Sequence, residues 1–248
     1  MDDSELKRRF FPEANLSGFS HVDGTVEFFN QIAAVLRPTD IVLDFGAGRG
    51  EILTEDTVEY RRGLSQLVGR CAHLDGCDID PVVLENPYLD DSKLVEKGQR
   101  LPYADNRFDV IVARYVFEHV EDPEFIAREL LRITKPGGLI AAVTPNKWGF
   151  IGVGARIVPN RFHIAVLARS QAERKPEDVF PTHYKLNTLR DLKKWFGAEA
   201  EIFVTRKASE PAYHFSKPWL YRMIKWSNKH IADVFLPSLD VYIRKRSL

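Results

Sequence analysis

Three glycines, Gly46, Gly48 and Gly50, stand at alternate positions in the stretch VLDFGAGRG, which runs from Val42 to Gly50. An apolar run precedes them and carries one acid, Asp44. Glycine lacks a Cβ and tolerates positive φ, so a turn of this composition, with Ala47 inside it, lets a ligand approach the backbone closely. A dinucleotide-binding turn usually reads G-x-G-x-x-G, faces pyrophosphate with a helix N-terminus, and has an acid about 20 residues further on. Here the spacing is G-x-G-x-G, and the next acid that ends an apolar run, Asp78, comes clearly later. Asp44 lies close to where a pyrophosphate would sit. A carboxylate there repels phosphate and attracts a cation or accepts from an amine. The pattern therefore disfavours a nicotinamide-dependent oxidoreductase.

The elements that must position this turn alternate between strand and helix, which favours a parallel sheet covered on both faces. Strands are expected at Asp40–Phe45, Cys71–Asp78, Lys93–Lys97, Asp109–Ala113 and Leu139–Thr144. The fourth, DVIVA, is apolar after its first residue, as a central parallel strand should be. Helices are expected at Met1–Phe10, Val22–Leu36, Glu51–Val68 (whole or broken), from Pro81 onward, and at Asp122–Thr134. The later half is less regular. Pro145–Pro181 reads as an insert over a site, followed by a helix at Leu186–Phe196. Glu199–Arg206 and Leu239–Lys245 alternate as strands and could pair antiparallel. Between them an amphipathic helix is expected at Pro218–Phe235, with Leu220, Met223, Ile224, Ile231, Val234 and Phe235 on one side and Arg222, Lys225 and Lys229 opposite. The expected architecture is α/β: a doubly wound, mostly parallel seven-stranded sheet with an antiparallel last strand. It is read as one domain over 1–248, with the 145–181 insert and a 207–237 helical cap on the substrate side.

Four ordered stretches, spread over roughly residues 25–205, resemble the class I S-adenosyl-L-methionine (SAM)-dependent methyltransferases of the small-molecule, type 11-like branch. VLDFGAGRG is similar to the family's first motif and GCDIDPVVLENP to its second. LPYADNRFDVIVARYVFEHVEDP resembles the segment that closes on adenine and enters the fourth strand, and LLRITKPGGLIAAVTPN the helix, turn and strand that follow. SAM carries a sulfonium and an ammonium and no phosphate, which suits Asp44. The resemblance implies a Rossmann-like fold and places Gly46, Ala47, Gly48 and Gly50 around SAM. It puts Asp78 on the ribose hydroxyls, with Ile79, Leu101 and Pro102 against adenine. Arg114, Tyr115 and His119 follow the fourth strand, at the carboxyl edge where such sheets bind ligands, and one of them is expected to face the methionine part. Many relatives carry an acid a few residues before the Leu-Pro pair; here the stretch reads VEKGQRLPY, and no residue is assigned that contact.

Each role has a plainer alternative. Asp44 could favour the next helix's N-terminus, and Asp78 could cap the helix at Pro81. Methyl transfer needs a base mainly when the acceptor is an alcohol. His183, in FPTHYKLNT, is the first candidate, with His119 and Tyr184 beside it and Asn146 and His163 behind. A structural loop histidine is the competing reading of His183. No HExxH or CxxC metal spacing occurs, and no metal is assigned. Methylation at oxygen of a small-molecule acceptor is expected: a lipid, quinone, natural product or sugar. A SAM-holding sensor or scaffold without turnover is the alternative.

Charge and composition limit the partners. Lys+Arg and Asp+Glu both number 35 in 248 residues, so a nucleic-acid partner is not expected. Residues 206–248 carry nine Lys/Arg and three Asp/Glu, so the predicted cap helix could touch an acidic membrane surface. The commoner fate of such a helix is to pack its apolar stripe on the core. The opening MDDSELKRRF lacks an apolar leader core, no run approaches the roughly 18 residues of a membrane span, and Cys71 and Cys77 are not expected to pair; a cytoplasmic location fits.

Overall fold

The computed structural model describes residues 2–150, 152–153, 180–212 and 214–247. Most of the predicted 145–181 insert, with His163, lies outside the described residues. Seven strands form one sheet: β1 (Ile41–Phe45), β2 (His73–Asp78), β3 (Asp91–Leu94), β4 (Phe108–Arg114), β5 (Thr134–Pro145), β6 (Ala200–Lys207) and β7 (Ser238–Lys245). Their order is β3-β2-β1-β4-β5-β7-β6. The neighbours from β3 to β5 pair parallel, and β7 runs antiparallel between β5 and β6. The expected sheet, including the antiparallel last strand, is the one observed.

Successive strand residues point to opposite faces, and both faces of the central strands are covered. Val42, Val110, Val112, Leu139 and Ala141 pack with Phe28, Phe29 and Ile32 of α3 (Gly24–Val35). Their alternates Leu43, Ile111, Ala113, Ile140 and Ala142 pack with α6 (Pro123–Ile133) and α7 (Leu189–Phe196). That is why β4 and β5 read as unbroken apolar runs. The helices start where caps allow. Asp23, Asp122 and Thr188 each accept a backbone N–H in the first turn of α3, α6 and α7, and Pro123 takes the first helical position of α6.

Of the two readings of Glu51–Val68 the structure takes the broken one, with α4 (Glu51–Thr54) and α5 (Glu59–Ser65). Other expectations change. Pro81 opens only a 3₁₀ turn, Pro81–Glu85, and β3 starts two residues earlier than expected. The cap helix, α8 (Pro218–His230), ends five residues short of Phe235 and turns a different side inward. Tyr221 is its buried residue, stacked 4.9 Å from Phe10 of α1 (Asp3–Phe10) and clustered with Leu6, Phe11 and Ala14, the last from the short α2 (Ala14–Ser17). Lys225, expected on the solvent side, donates to the Phe10 carbonyl and lies 3.8 Å over the Phe11 ring, whereas Met223, Val234 and Phe235 are exposed. The N-terminal aromatic pair, absent from a single-helix wheel, decides the orientation.

The turn after β1 is tightly specified. Gly46 has φ +80°, and a Cβ there would lie 2.3 Å from Cγ2 of Val116. Gly46→Ala should therefore lower stability by about 2–3 kcal/mol, seen as a lower urea midpoint with unchanged slope. Adding Val116→Ala should recover part of the loss, because it removes the contact but not the backbone strain.

Candidate functional site

β1 pairs with β2 on one side and β4 on the other, so the chain reverses its winding direction there, and ligands bind beyond the carboxyl ends at such a switch point. A cleft of about 1380 Å³ opens there, floored by Asp44, Gly46 and Gly48 and flanked by Asp78 and Arg114. Ala47 and Gly50 also line it.

The turn is latched to the end of β2. The amides of Gly46 and Ala47 donate to the Cys77 carbonyl at 2.8 and 3.2 Å, and the Gly48 amide donates to Asp78 Oδ2 at 2.9 Å. Asp78 Oδ1 accepts the Asp80 amide at 3.0 Å. Each oxygen of Asp78 thus spends one lone pair on the fold and keeps the other for a ligand. Burial holds its carboxyl above the usual range, against the pull of those amides. The expected cap on the Pro81 turn comes instead from Asp80, whose Oδ1 accepts the Val82 amide. Gly48 has φ +48° and open space where a Cβ would stand; its nearest neighbour there is Asp78 Oδ2 at 4.0 Å. Asn86, to which the sequence assigned no role, braces the turn. Its Nδ2 donates to the Gly48 carbonyl at 3.1 Å while its Oδ1 accepts the Tyr88 amide at 3.0 Å. Only the second of these bonds is local enough to be read from sequence.

Asp44 is half-buried, and its carboxylate makes no hydrogen bond among the described residues. Burial pushes its pKa up to about 6, against the attraction of Arg114 and with added repulsion from Asp78. Arg114, at the end of β4, stacks its guanidinium 5.5 Å from the Phe29 ring. An ammonium or sulfonium placed between them and the turn would relieve the Asp44 carboxylate. A phosphate would not.

Ile79 and Leu101 line the cleft, whereas Pro102 is exposed and does not. Leu101 is strapped to α6: its amide donates to Glu129 Oε2 at 2.8 Å, and its carbonyl accepts from Arg132 at 3.0 Å. Glu96, left unassigned from sequence, lines the same cleft.

On the opposite side, Tyr115 has φ +56°, a strained conformation for a non-glycine residue, and lines the cleft with His119. His119 Nδ1 lies 2.8 Å from the Pro181 carbonyl. A carbonyl only accepts, so Nδ1 carries the proton and the basic lone pair of the neutral ring sits on Nε2. His183 and Tyr184 do not line the cleft; their amides donate to the Glu118 carbonyl at 2.7 and 3.1 Å, and Tyr184 is 3% exposed. Glu118 in turn accepts Thr144 Oγ1, which accepts Asn187 Nδ2, so a buried polar chain ties the 180–188 stretch to β5. Asn146 donates to the carbonyls of Val234 and Leu236 and joins loops rather than facing the cleft. Among the described residues no group of three or more His, Cys, Asp or Glu could hold a metal.

The Asp44 charge has a cost for the fold. A carboxyl whose folded pKa lies above its unfolded value binds protons more tightly when folded, so stability falls as pH rises between the two values. Asp44→Asn should raise the urea midpoint above pH about 6 and leave it nearly unchanged near pH 4. Asp240, also pushed up to about 6 by burial, contributes the same slope to both proteins and cancels in the difference.

Residues 20–200 match a family model described as a methyltransferase domain. Over 104 residues the chain is 34% identical to the demethylmenaquinone methyltransferase of Corynebacterium glutamicum (strain R), covering 42% of this chain and 40% of that protein. It is 28% identical over 120 residues to the ubiquinone/menaquinone biosynthesis C-methyltransferase UbiE of Vibrio vulnificus (strain YJ016), covering 45% and 43%. The chain thus spans about two fifths of the length of the curated relatives it matches. A SAM-dependent methyltransferase structure from Methanosarcina mazei superposes with a TM-score of 0.54 at 19% identity, covering 88% of this chain and 98% of that one; this likeness is one of fold. With the family model spanning most of its length and the turn, latch and switch-point cleft in place, the chain belongs to the SAM-dependent methyltransferases of class I fold.

Proposed function

We propose that this chain transfers a methyl group from SAM to a hydroxyl oxygen of a small-molecule acceptor. The observation that carries the reading is the Asp44 carboxylate, half-buried on the cleft floor without a hydrogen-bond partner among the described residues. SAM, when bound, supplies an electrophilic methyl on a sulfonium. Asp44 serves its cationic part and Arg114 its carboxylate. Asp78 receives the ribose hydroxyls on the lone pairs its backbone bonds leave over. Ile79 and Leu101 wall the adenine, and Glu96 is the acid placed to accept from the adenine amine. Much of the catalytic effect is positioning and exclusion of water.

His119 is the base in this reading. Its place on the cleft wall and its Nδ1–H tautomer support removal of the acceptor's hydroxyl proton at Nε2. His183 and Tyr184 are positioning residues that hold the Glu118 turn, from which His119 projects. A second reading, methylation of a quinol at ring carbon, is favoured by the names of the curated relatives. It uses the same base, because loss of the hydroxyl proton makes the ring carbon nucleophilic. Proton NMR of the product separates a methoxy group from a ring methyl, which have the same mass.

Calorimetry with SAM and formation of S-adenosylhomocysteine over a panel of phenols and quinols test the proposal. Asp78→Ala should weaken SAM binding at least about tenfold. Binding to the wild type should weaken as pH falls below about 6, where Asp44 takes up its proton, and Asp44→Asn should bind weakly at every pH. His119→Ala should lower kcat by about a hundredfold and leave SAM affinity nearly unchanged. SAM binding with no turnover on any acceptor would favour a non-catalytic SAM-binding protein. Failure to bind SAM would overturn both.

A further inference from the structure

We propose that the outward face of α8, with its junction to α1, docks this protein on an anionic lipid bilayer. The inference concerns a surface and does not depend on which acceptor is methylated.

Trp219, Met223 and Trp226 are 66%, 52% and 63% exposed. At about 100° per residue they fall within roughly 60° of arc, one stripe along the helix. His230 extends it, stacked 4.7 Å from Trp226. The stripe is not the amphipathic face that packs on the body of the protein, since Tyr221 and Lys225 occupy that side. Two tryptophans and a methionine left outward on a helix anchored from behind are costly in water, and amphipathic aromatic rings suit the headgroup level of a bilayer.

The charge beside the stripe selects the kind of bilayer. Arg222 and Lys229, seven residues apart, run along one border of it, and neither makes an ion pair among the described residues. The thirteen residues of α8 contain no acid. Arg222 and Arg9 approach the same Phe10 ring at 5.9 and 5.7 Å, so the basic border continues onto α1. A chain with zero formal net charge therefore concentrates cations beside its outward tryptophans. Anionic headgroups offer both partners at once: negative charge at the border and an apolar layer below. A second copy docked by twofold symmetry with its helix antiparallel would bring the two basic borders together, which disfavours that arrangement.

More apolar groups lie beyond the helix. Val234 and Phe235 are exposed just after α8, and Trp148 and Phe150 are exposed on the loop that Asn146 ties to the Val234 and Leu236 carbonyls. This loop leads directly from Pro145, which with Ser238 lines the cleft. Ser216, two residues before α8, also lines the cleft, so the docking helix and the cleft adjoin along the chain.

The test is sedimentation of the full chain with vesicles of phosphatidylcholine alone, and with about a third phosphatidylglycerol. The expected result is binding to the anionic vesicles, a blue shift of tryptophan emission, and release by high salt. Trp219→Ser with Trp226→Ser, and separately Arg222→Glu with Lys229→Glu, should each weaken binding at least about tenfold. Unchanged circular dichroism and urea midpoints control for folding. No binding to anionic vesicles, equal binding to both vesicle types, or binding that neither pair of substitutions reduces would overturn the proposal. A dimer that the tryptophan substitutions dissociate would overturn it in favour of a second copy.

Discussion

The latch between the ends of β1 and β2 is the constraint on which the site depends. Two amides of the glycine turn reach the Cys77 carbonyl, and a third reaches the Asp78 carboxylate. These bonds can form only if the chain turns sharply after Phe45, which is why Gly46, Gly48 and Gly50 all have positive φ. A bulkier residue at Gly46 meets Val116, and one at Gly50 meets Asn86 and Tyr88. The turn is therefore packed against the β4 side and the β2 side at once, and remains open only at Gly48. The open position marks where a ligand can approach the backbone. The residue expected to contact that ligand, Asp78, is also the residue that fastens the turn.

The same economy explains the strain around it. Among the described residues Asp44 is held without a hydrogen bond near a second carboxylate, an arrangement that opposes folding and suits a cationic ligand. Tyr115, in the left-handed region, is pinned by its amide to the Val143 carbonyl at 2.8 Å, so β5 supports a conformation that the residue alone would avoid. A buried carboxylate that opposes folding and a strained backbone at one sheet edge are features that stability alone would remove.

The parts legible in the sequence were those governed by local rules. The apolar runs of β1, β4 and β5, the helical stretch of α6, and the glycine turn all depend on neighbours a few residues away. Asn86 was not legible, because its decisive bond spans 38 residues to Gly48. The facing of α8 was misread for the same reason. Helical periodicity identifies an apolar side, but Phe10 and Phe11, more than 200 residues earlier, select which side is buried. His183 was weighed by residue type and by its place after the insert; the fold turns the backbone of that stretch toward Glu118 and brings His119 to the cleft instead.

The two halves of the molecule consequently differ in how they are held. On the cofactor side, consecutive strands and the loops between them fix each group through backbone bonds, and little can vary without loss of the turn. Beyond β5, β7 and β6 are held in continuous antiparallel register, with Leu239, Val241 and Ile243 in the apolar cluster of α6 and α7, while the segments that join them are fastened by side-chain bonds. Lys207 joins Asp240 to the Gly24 carbonyl, Asn187 joins Thr144 to the Pro145 carbonyl, and Asn146 joins two loops. The Lys207 and Asn187 bonds fasten neighbouring segments to the ends of β5, β6 and β7. None of these bonds shares a residue with the latch, so under the proposed function a change on the acceptor side would leave the cofactor turn in place.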